Sequence, residues 1–172
     1  QDAVCYQEND IMLGLRYLND LARKQGMPLV ICVALGTSFG GHNGDSLLAD
    51  ILDIYATVRN RCVVVGTGNE AARRHHYFNR FTDAQDMRTA EIRVGEGTQS
   101  FAVELWSTLP NIVMVSVTSP SGERTGMIPI RLGYLFDFSF TFERTTITVE
   151  YRLLQRNNDA QLVFIRFQNA VP

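Results

Sequence analysis

The sequence predicts an α/β segment followed by an antiparallel, all-β segment, and three observations predict it. In the first seventy residues, apolar positions at helical spacing alternate with two short, wholly apolar runs. Beyond residue 90, apolar and polar residues alternate with period two, the mark of half-buried strands. Turn signals, Gly95-Glu96-Gly97 and Ser119-Pro120-Ser121-Gly122, divide that second part. The boundaries fall at 1–72 for the α/β part, 73–89 for a polar connecting loop and 90–172 for the β part.

Taken in order, Asn9 or Asp10 is the expected cap of a helix carrying Ile11, Leu15, Leu18 and Ala22, ended by Gly26 and Pro28. Leu29–Val33 follows as a strand, apolar on both faces as in a parallel sheet covered from both sides. Asp45 or Ser46 opens a second helix with Leu47, Leu48, Ile51, Leu52, Tyr55 and Val58, and Cys62–Val65 is the next buried strand. Strand, helix, strand in this order requires a parallel pair with a crossover. The predicted β-strands are 90–94, 99–106, 112–118, 135–142, 145–152 and 161–168, with Phe136, Phe138, Phe140 and Phe142 sharing one face. Such a run of short strands is the composition of a β-sandwich or jelly roll.

Composition narrows the function. The 172 residues are 45% apolar and 20% charged with a net charge of −2, so no strong field draws nucleic acid or anionic membrane. No apolar run reaches membrane-spanning length. Cys5, Cys32 and Cys62 are odd in number and widely spaced, which argues against a disulfide framework or a zinc site. Cys32 and Cys62 sit in apolar runs, where a thiol is expected to be a small core hydrophobe. No signal peptide is visible, and the start, Gln1-Asp2-Ala3-Val4, reads as that of an excised or processed piece, with no compartment legible in it.

Three motifs invite a catalytic reading. Gly36-Thr37-Ser38-Phe39-Gly40 fits the G-x-S-x-G elbow of hydrolases, but an elbow needs a helix to open at the serine. Here the caps Asp45 and Ser46 come seven residues or more later, which makes the segment a glycine-rich loop at a strand's C-terminal end, where ligands sit in parallel sheets. Gly66-Thr67-Gly68-Asn69-Glu70-Ala71 fits a dinucleotide fingerprint, yet no apolar helical stripe follows it. His42, His75 and His76 lack an acidic partner at a recognised spacing and are expected on a solvated loop; no metal or cofactor is expected.

Read together, the two strand ends resemble the core of subtilisin-like serine proteases (subtilases). Ile31-Cys32-Val33-Ala34-Leu35-Gly36 matches the strand whose Ser-Leu-Gly-type end pairs with the substrate backbone, and Val63 to Glu70 matches the strand ending in Gly-Asn-Glu. Ala34 replaces the usual serine, a change that leaves main-chain pairing intact. The run Leu35–Leu48 is similar to the Csp-type germination subtilases, which carry a jelly-roll insertion after Gly-Asn-Glu. The resemblance covers residues 9–76 closely and 90–172 in architecture.

The resemblance implies a partial subtilisin-like parallel α/β core followed by a β-sandwich or jelly-roll insertion, incomplete at its C-terminal end. It implies a polypeptide substrate, with Ala34, Leu35, Gly36, Gly66, Thr67 and Gly68 lining its site and Asn69 as the oxyanion-hole donor. It makes Ser38 a loop residue, since a catalytic Gly-Thr-Ser follows the Gly-Asn-Glu segment and is itself followed by proline. The Asp-His-Ser triad is then absent from these residues, so the piece alone is expected to be inactive. The implied setting is bacterial, secreted or spore-associated. Two alternatives remain: a pseudoprotease, or a binding module whose β-sandwich contacts a protein or polysaccharide through Trp106 and the phenylalanine-rich strand. Strands cut from a wider sheet leave bare edges, which predicts self-association through residues 1–70.

Overall fold

In the computed structural model, which describes residues 6–44, 46–154 and 159–169, the chain divides into two units, Gln1–Asn79 and Arg80–Pro172.

The first unit begins with helix α1, Glu8–Gln25, acidic in its first turn (Glu8, Asp10) and basic in its last (Arg23, Lys24), as the helix dipole favours. Its N-cap is Gln7, which makes no side-chain cap bond, so neither Asn9 nor Asp10 has the expected capping role. Gly26 ends the helix at φ 65°, the left-handed turn that glycine adopts at little cost. Strand β1 is Leu29–Val33, α2 is Leu47–Thr57 and β2 is Arg61–Val65. Ser46 caps α2, its Oγ accepting the Ala49 N–H at 3.1 Å; Asp45 lies outside the described residues. Glu8 Oε1 accepts the Leu48 N–H at 3.2 Å, setting a carboxylate on the N-terminus of α2. Arg61 Nε donates to Asn19 Oδ1 at 3.0 Å and its NH1 to the Met27 carbonyl at 3.2 Å, tying β2 to α1 and to the turn before β1.

β1 and β2 pair in parallel, as the element order requires. The buried apolar residues described in this unit are Leu15, Ala22 and Ile31. The pairing sets Val30 opposite Cys62 and Cys32 opposite Val64, so these four share one sheet face, and all four are exposed. This corrects two expectations: the strands are not covered on both faces, and Cys32 and Cys62 are not core thiols. The reason is geometric. Both helices cover the Ile31 face, and nothing among the described residues of this unit covers the other. Cys5 lies outside the described residues.

The second unit is a four-stranded antiparallel sheet in the order β3-β6-β5-β4, with β3 Ser100–Thr108, β4 Leu135–Phe140, β5 Thr145–Leu154 and β6 Ala160–Asn169. Two predicted strands are absent. Residues 90–94 are irregular, with Ile92 and Val94 exposed. Residues 112–118 carry only the isolated bridges Val115–Ile128 and Thr118–Arg124. Phe136, Phe138 and Phe140 join the core, whereas Phe142 lies beyond β4 and is exposed. The core is Ile128, Phe140, Ile147, Val149, Tyr151, Val163 and Ile165, with Val115, Val117 and Ile130 packed on it from the irregular segment.

Two buried polar side chains hold that segment on the sheet. Gln161, fully buried, accepts the Val113 N–H at 2.6 Å and the Ser107 hydroxyl at 3.0 Å, and donates to the Val113 carbonyl at 3.1 Å. The Tyr151 hydroxyl donates to the Ile128 carbonyl at 2.9 Å and accepts the Val115 N–H at 3.2 Å. The segment lacks a ladder of its own, so these side chains satisfy backbone groups that burial would otherwise orphan.

We predict that Gln161→Leu destabilises this unit by about 2–4 kcal/mol, since it strands the Val113 amide and carbonyl, and Tyr151→Phe by about 1–2 kcal/mol. Trp106 is the single tryptophan, so its fluorescence in urea follows this unit alone. The unit should also weaken in acid. Partial burial pushes the Glu143 carboxyl up, but the Ser121 N–H at 2.8 Å and the Ser121 and Ser119 hydroxyls outweigh it and hold the group below its ordinary value. Bonds from Arg152 to both Glu150 oxygens, at 2.8 and 2.6 Å, lower Glu150 likewise. Folded values below unfolded ones give stability that is present above about pH 4.3, the ordinary glutamate value, and lost as pH falls through the folded values. The urea midpoint is therefore expected to drop below that pH, and the double variant Glu143→Gln, Glu150→Gln to show a flatter profile.

Candidate functional site

The site is built by the parallel pair. Its register runs from Leu29–Arg61 to Val33–Val65, and the Gly66 N–H donates to the Val33 carbonyl at 3.1 Å, carrying the ladder one bond further. Two parallel strands in register must release their chains at the same edge. Ala34-Leu35-Gly36 leaves β1 there and Gly66-Thr67-Gly68-Asn69 leaves β2 beside it. A Cβ built on Gly36 would lie 4.0 Å from the Gly68 Cα, which measures how closely the two exits run. Gly68 has φ +80°, a backbone state that side-chain-bearing residues adopt only under strain. All seven residues are exposed, and Ala34–Gly36 lie outside the ladder, so their main chain is open to pair with an extended ligand.

Ser38 is not at a strand-to-helix elbow. It lies in the exposed loop after Gly36, where Thr37 Oγ1 accepts the Phe39 N–H at 3.0 Å, and α2 opens only at Leu47. The Gly66–Ala71 segment meets no helix of the kind a dinucleotide site needs; a single 3₁₀ turn, Ala71–Arg73, follows it.

The loops bring together residues that the sequence does not pair. Glu70 Oε2 lies 3.3 Å from Arg73 Nε and 3.2 Å from His75 Nδ1, so His75 does have an acidic partner. The rings of His42 and His76 meet with centroids 4.7 Å apart and planes tilted by 50°. No motif signals that contact, because its partners are far apart in sequence and the adjacent pair His75-His76 reads only as a polar loop. Among the described residues no three of His, Cys, Asp and Glu cluster so as to hold a metal ion. A shallow cleft of about 450 Å³ lies elsewhere in this unit, between α1 and α2, lined by Met12, Leu13, Ile51 and Tyr55 among others.

In the second unit, Trp106 is half-buried and donates its indole N–H to Glu104 at 3.0 Å, while Phe101 stacks on Phe167 at 4.5 Å. These aromatics are engaged within the sheet.

The fold has a solved counterpart. The CspB protease of Clostridium perfringens superposes on this chain with a TM-score of 0.81 at 24% sequence identity. The match covers 96% of this chain and 34% of that one, so the chain spans about a third of the length of that protease. No family model matches the sequence, and no curated protein matches it. The likeness is one of fold: a parallel pair with its helices, then a four-stranded antiparallel sheet.

The two glycines make a contrast. Gly68→Ala is expected to destabilise the first unit by about 1–2 kcal/mol through its left-handed backbone. Gly36→Ala, whose new Cβ meets only an ordinary contact, should change stability by less than about 0.5 kcal/mol. Both α-helices described lie in this unit, so the helical circular dichroism signal reports the two melting temperatures.

Proposed function

We propose that this chain is a segment of a subtilisin-like serine endopeptidase, carrying the substrate-pairing strand and the oxyanion-hole asparagine of its active site. The observation that carries the reading is the shared edge: Ala34–Gly36 and Gly66–Asn69 leave adjacent parallel strands side by side, exposed and within backbone contact distance. The similarity in fold to a protease about three times as long supports it. So does the bare face of Val30, Cys32, Cys62 and Val64, which suits a strand pair belonging to a wider, doubly covered sheet. In the isolated chain the same face is our proposed surface for self-association. The antiparallel sheet with its bridged covering segment is in this reading the jelly-roll insertion.

The chemistry assigns the parts. A substrate peptide lies extended along Ala34–Gly36 and pairs with that main chain, which fixes the scissile bond without regard to side chains. A serine nucleophile, activated by histidine and aspartate outside these residues, attacks the carbonyl carbon, and the carbonyl oxygen becomes an oxyanion. The Asn69 carboxamide donates an N–H to that oxygen. A donor already aimed at the developing charge lowers the barrier without reorganising when the charge appears. Ser38 has no part in the bond-making steps.

A binding module that reads polysaccharide through Trp106 and the phenylalanine-rich strand is the less supported reading, because the Trp106 indole N–H is taken by Glu104 and Phe136, Phe138 and Phe140 belong to the core, which leaves Phe142 as the exposed phenylalanine of the four.

Two measurements test the proposal. The 172-residue chain should hydrolyse no peptide ester, and a fluorophosphonate probe should leave Ser38 unlabelled; labelling of Ser38 with turnover contradicts the assignment. In the complete protease, Asn69→Ala should lower kcat by about 10²–10³ with KM little changed, a magnitude known from the loss of this kind of donor in subtilisin. An unchanged kcat contradicts the role of Asn69.

A further inference from the structure

We propose that the ring contact between His42 and His76 is a positioning clasp, which holds the loop after β1 against the loop after β2 and so fixes the spacing between the Ala34–Gly36 main chain and Asn69. The inference rests on the function proposed above for those two segments, and it assigns residues that the protease resemblance does not.

Ladder pairing ends at the Gly66–Val33 hydrogen bond, and beyond it both chains run as irregular, exposed loops. Three glycines in this stretch, Gly40, Gly44 and Gly68, take positive φ, a region that glycine enters at little cost. The His42–His76 pair joins the loop that continues from Gly36 to the loop that continues from Asn69, with centroids 4.7 Å apart. The planes are tilted by 50°, between a flat stack and an edge-on contact.

The partner side of the clasp is itself braced. Glu70, next to Asn69, reaches both Arg73 and His75 with one oxygen, which ties the turn between Asn69 and His76 into a closed unit. His76 follows directly on that turn, so these contacts lie between its ring and Asn69. The chain of contact runs Gly36, the loop to His42, His76, the Glu70-braced turn, Asn69. Neither histidine is placed at the reacting atoms. Both act through the segments they join.

The test uses the isotopically labelled 172-residue chain in solution. In the unmodified chain, a nuclear Overhauser effect between the two imidazole rings is expected, and its absence overturns the clasp without any mutation. In ligand-free His42→Ala and His76→Ala, the amide resonances of Gly36, Gly68 and Asn69 should shift or broaden, whereas His42→Phe and His76→Phe, which keep an aromatic partner, should restore them. Unchanged amides in the alanine variants overturn the proposal. Titration with acetyl-tetra-alanine amide separates this inference from the one beneath it. Peptide-induced shifts at Ala34–Gly36 support the substrate segment, and the alanine variants should then bind about 2–10-fold more weakly, with recovery in the phenylalanine variants. Equal affinity in all variants overturns the clasp alone. No peptide-induced shift in the unmodified chain overturns the substrate reading, while the ligand-free amides still decide the clasp.

Discussion

The parallel pairing of β1 with β2 is the constraint on which the candidate site depends. Parallel strands cannot be joined by a tight turn, so the chain must cross over through α2, and both strands then end at one edge. Everything proposed for the site follows from that edge. The register sets Val33 beside Val65, the Gly66–Val33 bond carries the alignment past the last strand residue, and the two loops begin side by side. A register slip of one residue would exchange the faces of Val30 and Ile31 and would separate the glycines that now run close together.

The two units meet the demands of burial differently. In the second, the sheet has one face closed by an irregular segment, and the backbone groups of that segment are satisfied by Gln161 and Tyr151 in place of a neighbouring strand. Its core runs continuously across all four strands. The first unit has only Leu15, Ala22 and Ile31 buried among its described apolar residues, and Val30 remains 68% exposed on a strand built wholly of apolar side chains. Exposed large hydrophobics arranged in one contiguous face are unusual for a surface meant to stay in water. The strand composition suits a more crowded setting than this unit provides.

Much of this was legible in the sequence for physical reasons that can be named. Leu29–Val33 was readable to the residue, because an unbroken apolar run lay between Pro28 and a glycine-rich loop. Ser46 was readable as a cap because its hydroxyl has few better uses just before a helical stripe. Residues 112–118 misled because period two reports which side chains face a core, and Val113, Val115 and Val117 do alternate with exposed neighbours, while pairing depends on what lies alongside. Cys32 and Cys62 misled for a related reason: an apolar strand states what it can tolerate, and its cover comes from other parts of a protein. Phe142 kept the alternation of its strand but lay past the end of β4. At the site, the strand tips and Asn69 were visible as local segments, whereas Glu70–His75 and His42–His76 arise from loop paths that local patterning does not encode.

The most direct test of the proposed role is a crystal structure of the parent protein that we propose for this chain, with a peptide aldehyde bound. The account predicts that the peptide runs as an added strand along Ala34–Gly36 and that the Asn69 amide nitrogen sits about 2.7–3.1 Å from the tetrahedral oxygen. A peptide bound away from that edge, or an Asn69 side chain turned from the oxygen with another donor in its place, would contradict it.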